Sequence, residues 1–285
     1  MRWRNLERSQ NVDDRRGSRA GAVAGGVGGL GIIGVLLALF LGGGGGGLGD
    51  ALSGFGQGGA TPAQPQEQAP EYQGLDEIEE FVSAILGSTE TVWEQVFTDA
   101  GRTYQPTSLV LFTGSTSSGC GGATAQVGPH YCPLDKTIYI DRDFYGELER
   151  RFGASGGDFA EAYVVAHEVA HHVQNELGIM DQVRSAQQSD PGNANDYSVS
   201  LELQADCLAG VWANSIFQRG NVLERGDIEE AMNAAASVGD DRIQQATQGQ
   251  INPEKWTHGS SQQRVDWFNQ GYESGSASQC DTFNA

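Results

Sequence analysis

The chain reads as a mostly helical α+β domain with a small sheet, preceded by one apolar stretch long enough to cross a membrane. Three observations predict this. Residues 20–41 (AGAVAGGVGGLGIIGVLLALFL) carry no charged side chain, and about twenty predominantly apolar residues span a bilayer. Beyond residue 75, apolar positions recur mostly at the spacing of amphipathic helices. Only two short runs, 108–112 (SLVLF) and 137–141 (TIYID), have the make-up of strands.

Taken in order, residues 1–19 form a basic head, expected to be disordered. Arginine before the apolar stretch and none soon after it predict a cytoplasmic head and a body outside, in periplasm or cell exterior. The expected transmembrane helix is 20–41; its glycines weaken it as a helix but are tolerated in membranes. A cleaved signal peptide is the alternative. Its apolar core would come late, and no small-x-small cleavage site stands out in the glycine run that follows. Residues 42–74, rich in Gly, Gln and Pro, read as a flexible tether. The folded domain is expected over 75–285.

Within it, residues 76–86 are amphipathic, with Ile78, Phe81, Val82 and Ile85 on one face, and a second short helix is expected over 89–100. The two strands follow, then a short helix over 143–152. Asp158 is a suitable N-cap and Gly178 a suitable stop for a helix containing 161–174 (EAYVVAHEVAHHVQ). Residues 182–195 are polar and expected to end in a loop. A helix over 197–217 carries Val199, Leu203, Leu208, Val211, Trp212 and Phe217. Helices over 227–238 and 260–272 complete the domain, and no internal repeat is visible.

Charge is divided unevenly. The first twenty residues hold six arginines and three acids, a net of +3, which leaves −23 on the rest of a chain whose total is −20. An acidic body argues against nucleic acid as a partner, which needs a basic footprint. It argues weakly for cationic substrates.

The chemistry is concentrated in His167-Glu168-Val169-Ala170-His171. Four residues advance a helix by about 400° and roughly 6 Å. Both imidazoles therefore project from one face and can hold Zn²⁺, with Glu168 beside the metal's open side as a candidate base. A surface helix that happens to carry two histidines is the alternative, but three of the chain's five histidines fall within six positions. A catalytic zinc needs a third protein ligand. The extension HExxHxxGxxH is absent, since Gln174 and Leu177 stand where Gly and His would be. Glu202, on the helix over 197–217, is the candidate ligand. Asp206, four residues on, shares its face and is expected to accept an N–H from a metal-bound histidine. An ordinary solvated acidic face is the alternative for this pair. His172 lies roughly 100° further round the helix than His171 and is read as structural. A metal role for His130 is not expected.

These motifs resemble gluzincin metallopeptidases, whose HExxH helix is followed by one carrying Glu-x-x-x-Asp. More closely, the chain is similar to the bacterial family of putative neutral zinc metallopeptidases with one N-terminal membrane segment. The similar stretches are 109–122 (LVLFTGSTSSGCGG), 131–135 (YCPLD), 162–174 (AYVVAHEVAHHVQ), 201–209 (LELQADCLA) and 257–268 (THGSSQQRVDWF). The resemblance implies a zincin-like zinc peptidase acting on peptide or protein substrates. Its implied ligands are His167, His171 and Glu202, with Glu168 as catalytic base. It names no substrate. Gluzincins usually bind substrate along an edge strand, and either 108–112 or 137–141 could serve. The segment from Thr257 to Arg264 is similar to the Thr-His-Pro…Arg segment of membrane-bound gluzincins, with Gly259 in place of Pro. His258 is thereby a candidate oxyanion donor, or a structural neighbour of a helix capped by Thr257 or Ser260. Arg264 could orient Glu202 or Asp206, or make a surface ion pair. A protein that keeps the zinc site only for structure or peptide binding is the main rival.

Four cysteines allow three pairings. Cys120–Cys132 as a local loop and Cys207–Cys280 as a staple to the Glu202 helix are favoured, in keeping with export. Free buried thiols, or Cys207 as a metal ligand, are the alternatives.

Overall fold

The computed structural model describes residues 1–16, 76–124, 127–144, 146 and 156–284. The expected membrane segment 20–41, the tether 42–74 and most of the expected helix 143–152 lie outside the described residues. No helix among the described residues is long and apolar enough to cross a membrane.

The strands are β1 (Val12–Asp14), β2 (Ser108–Phe112), β3 (Ser115–Ser118), β4 (Gly121–Thr124), β5 (His130–Cys132) and β6 (Thr137–Asp141). The helices are α1 (Glu77–Asp99), α2 (Asp158–Glu176), α3 (Ile179–Ser189), α4 (Ala194–Gln218), α5 (Asp227–Ser237), α6 (Asp240–Gln248) and α7 (Ser261–Ser274). The fold is mostly helical with a small sheet, as the sequence predicts.

The main sheet has the order β1-β2-β6-β5. β1, β2 and β6 run parallel, and β5 pairs antiparallel with β6. Both strands expected from the sequence are therefore interior, and neither offers a free edge; among the described residues the edges are β1 and β5. The central strands are buried on both faces and read as continuous apolar runs for that reason. β3 and β4 form a separate hairpin, joined to β5 by the Cys120–Cys132 disulfide. Cys207 pairs with Cys280, and no cysteine among the described residues is free.

α1 is one helix where two were expected. Asp76 caps it, accepting from the Glu79 N–H, and three glutamates in its first turn complement the helix dipole. Its polar middle is satisfied internally: the Ser88 hydroxyl donates to the Ile85 carbonyl and that of Thr89 to Leu86. The glycine just before them, Gly87, forfeits about 1 kcal/mol of helix propensity. Burial of Phe81, Ile85 and Leu86 before it, and of Val92 and Trp93 after it, outweighs that.

The N-terminus of α2 corrects the expected cap by one position. Asp158 is the first helical residue, and the cap is Gly157, whose φ of +113° suits glycine alone. Gly178, at φ +77°, ends the helix as expected. α3 and α6 fall in polar stretches and were not anticipated. α7 begins with a capping box formed by Ser260 and Gln263. α4 and α7 cross at backbone contact. A Cβ on Gly271 would lie 1.8 Å from the Cys207 carbonyl oxygen, and one on Gly210 would lie 2.1 Å from that of Phe268. The two glycines thus bring Arg264 of α7 within reach of α4.

The basic head is not a disordered tail. Met1 and Trp3 are buried, and Trp3 meets Phe81 edge-on at 5.5 Å. β1 pairs with β2 in the register Val12↔Leu109 to Asp14↔Leu111. The arginines find acids: Arg2 bonds Glu224 at 3.0 Å, Arg4 bonds Glu77, and Arg16 bonds Asp76 at 2.7 Å. A charge run reads as solvated only when its partners are unknown; here the acidic body supplies them.

Candidate metal centre

α2 buries one face against α1, α4 and α5, and that face carries His167 and His171 one turn apart. α4 packs across it and brings in Glu202. Ligand atoms of His167, His171 and Glu202 all lie within 4.8 Å of one another, and all three residues are buried. His167 Nε2 is 3.2 Å from one Glu202 oxygen, and His171 Nε2 is 3.4 Å from the other. That second oxygen, Oε1, is buried with no hydrogen-bond partner. A carboxylate with one unpartnered oxygen set beside two imidazole nitrogens is an arrangement that a bound cation would satisfy. The donor set, two imidazoles and one carboxylate, fits zinc.

The other ring nitrogens are tied down. His167 Nδ1 lies 2.9 Å from Asp206 Oδ1, and His171 Nδ1 lies 2.8 Å from Gln174 Oε1. With each Nδ1–H donating to an oxygen, loss of the remaining ring proton would leave an Nε2 lone pair toward the centre. Asp206 is fully buried and accepts further bonds from the Tyr163 hydroxyl at 2.5 Å and from Arg264 at 2.8 and 3.0 Å. Arg264 also donates to Tyr163 at 3.2 Å. It is a buried member of this network and not a surface ion pair.

Electrostatics follow from this packing. Burial alone would lower the His167 pKa, but Asp206 and Glu202 beside it hold it up at about 9. His171 is likewise raised, because Glu202 outweighs burial. Burial works to raise Glu202 and Asp206; neighbouring cations win, and both carboxyls stay below their ordinary range. The cluster therefore holds protons on its imidazoles, which a metal would have to displace.

Glu168 is buried next to this cluster and lines the same cleft as His167, His171, Glu202 and His258. His258 comes from the turn before α7. The Asp240 carboxylate fixes that turn, accepting from the backbone N–H groups of Thr257 and His258 at 2.7 Å and Gly259 at 3.1 Å. His258 Nδ1 is 3.0 Å from the Thr257 hydroxyl, while its Nε2 is buried without a partner. His172 faces away, bonded to Tyr131 and to the Gln105 carbonyl. His130 stacks on Tyr139 and lines the cleft wall without joining the ligand cluster. Cys207 is disulfide-bonded, so it is no ligand.

Sequence reasoning missed Gln174, Tyr163 and Asp240. Gln174 is three residues from His171 and Tyr163 four before His167, so helical spacing placed both on the metal face. Asp240 had no such signal.

A family model described as "Putative neutral zinc metallopeptidase" matches residues 1–283. The protein YpfJ of Escherichia coli K12 is 45% identical over 293 residues, covering 99% of both chains. The protein Rv2575 of Mycobacterium tuberculosis H37Rv is 47% identical over 213 residues, 72% of this chain and 70% of that one. Both bear the name "Uncharacterized protein". No solved structure is significantly similar to the chain.

Proposed function

The chain belongs to the putative neutral zinc metallopeptidase family, and we propose that it is a zinc-dependent endopeptidase of the gluzincin type. One observation carries this reading: the buried cluster of His167, His171 and Glu202, with an unpartnered carboxylate oxygen and Glu168 beside it in an open cleft. Zinc held there would bring the pKa of a bound water toward 7 and polarise a scissile carbonyl.

The chain's own groups do the rest. Glu168 takes the proton of the attacking water and returns it to the leaving amine. Asp206 and Gln174 keep the two ligating imidazoles in one tautomer. His258 presents its free Nε2 to the cleft, where a proton on that nitrogen would stabilise a developing oxyanion. β5 is an edge strand and contributes His130 and Tyr131 to the cleft wall. A peptide added along it would lie beside the metal, which replaces the two strands expected for this role. The apolar stretch 20–41 is proposed as the membrane attachment, on its length and lack of charge.

The test uses the full chain. Wild type, Glu168→Gln and Glu202→Ala are assayed for zinc by elemental analysis and for cleavage of an unstructured protein. The reading expects one chelator-sensitive zinc and cleavage in wild type, zinc without cleavage in Glu168→Gln, and neither in Glu202→Ala. Normal turnover by Glu168→Gln removes its assigned role. Zinc in wild type without cleavage would leave a zinc-containing peptide-binding protein.

A further inference from the structure

The head and the body are bonded along the described length of the head, residues 1–16. Residues 1–16 contribute a strand to the sheet, two buried side chains to the core, and arginines to three different body acids. The contact is also written into the body. Gly87 sits in the middle of α1, where a Cβ would meet the Glu7 carbonyl oxygen at 2.6 Å and the Ser9 nitrogen at 2.8 Å. The missing side chain lets head backbone lie directly on the helix. There the Ser9 N–H donates to the Ser83 carbonyl at 2.9 Å, and the Ser83 hydroxyl donates to the Ser9 carbonyl at 2.9 Å. Ser9 and Asn11 further share Glu90.

Neighbouring strands lie about 4.8 Å apart, whereas a bilayer's hydrocarbon core is about 30 Å thick. β1 cannot pair with β2 through a membrane. We infer that residues 1–16 and 76–284 occupy the same side of any membrane the chain touches, so that residues 20–41 attach the protein without parting its head from its body. Whatever route residues 17–75 take, it begins and ends in one compartment. A single crossing with the head inside and the body outside would need the head to leave the sheet, uncovering Trp3, Phe81 and the edge of β2. The inference rests on the packing of the head and stands or falls independently of peptidase activity.

Two measurements on the full-length chain in its host membrane test it. In the first, Ser9→Cys/Ser83→Cys is expressed with a protease site inserted within 42–74 and treated with a membrane-permeant oxidant. The head fragment is expected to stay attached after cleavage on a non-reducing gel and to be released by reductant. Release without reductant, while Cys120–Cys132 and Cys207–Cys280 are intact, overturns the inference. The second avoids the packed interface. Gln10→Cys and Lys255→Cys, both at exposed positions, are labelled separately with a membrane-impermeant maleimide in intact and disrupted cells. Equal labelling of the two in intact cells supports a shared side, whichever side it is. Labelling of one and protection of the other overturns it.

Discussion

Replacing Asp206 with Asn separates the metal-orienting role proposed for this carboxylate from its structural one. The side chain is fully buried and receives the Tyr163 hydroxyl, the His167 ring N–H and two N–H groups of Arg264. Asparagine keeps the shape and one acceptor oxygen. It turns the other oxygen into a donor and removes the charge opposite a buried guanidinium. Breaking a buried ion pair in this way costs about 3–5 kcal/mol, a large share of a typical stability of about 5–15 kcal/mol. Loss of the partner that orients a metal-bound histidine weakens metal binding by about 10–100-fold, or roughly 1.4–2.7 kcal/mol. Zinc affinity is read by competition with a chromophoric chelator at pH 7, and stability by calorimetry of the zinc-free protein. The variant should lose both. Arg264→Gln should lose stability with a smaller effect on zinc, because the Asp206–His167 bond survives. The double variant should regain part of the stability, since no charge is left orphaned, while zinc stays weak. A folded Asp206→Asn variant that binds zinc within twofold of wild type would refute the orienting role.

Three further outcomes are expected. His258→Ala should lower kcat by about 10²–10³-fold, the size of a lost oxyanion donor, with KM and zinc content little changed; an unchanged kcat would leave His258 as a structural neighbour. Zinc uptake by the metal-free protein at pH 7 should release at least about one proton, because His167, with its pKa near 9, is protonated there and must give up its proton to bind metal. Calorimetric heats measured in buffers of different ionisation enthalpy report that number, and buffer-independent heats would contradict it. Trp3→Ala in the full chain should cost about 3–5 kcal/mol as a buried aromatic, lowering the Tm by roughly 6–20 °C. A drop of a degree or two would mean that the head is dispensable to the fold.

How much could be read in advance depended on how locally each signal was encoded. The helix of the candidate metal centre was legible because His167, His171 and its apolar face follow one 3.6-residue period. Gln174 and Tyr163 obey the same period and were overlooked only because their residue types suggest no metal chemistry. β5 was hidden by its three-residue length, and α3 and α6 by their polar composition. The head was misread for a different reason. Arg2, Arg4 and Arg16 reach partners 60 to 222 positions away, at Glu224, Glu77 and Asp76, and no short window along the chain contains both halves of such a pair. Asp240 was equally distant from notice: it works through three backbone N–H groups of a turn 17 to 19 residues further on.

The choice between Glu202 and Asp206 as the third ligand shows what the structure adds to a spacing argument. The two are four apart on one helix, both buried and both charged, so their spacing alone does not rank them, and in the sequence it is the resemblance to gluzincins that does. Hydrogen-bond capacity ranks them the same way. Asp206 Oδ1 takes Tyr163, His167 and Arg264, and Oδ2 takes Arg264 again. A carboxylate so committed has no lone pair to spare for a cation without abandoning a buried partner. Glu202 lies 3.2 and 3.4 Å from the two imidazole Nε2 atoms and leaves Oε1 with no hydrogen bond. Leaving such an atom unsatisfied costs about 1–3 kcal/mol or more, a penalty that binding a cation at that position removes. Hydrogen-bond capacity thus favours the proposed division of roles, with the saturated Asp206 orienting and the unsaturated Glu202 ligating, and it is Arg264 that saturates Asp206.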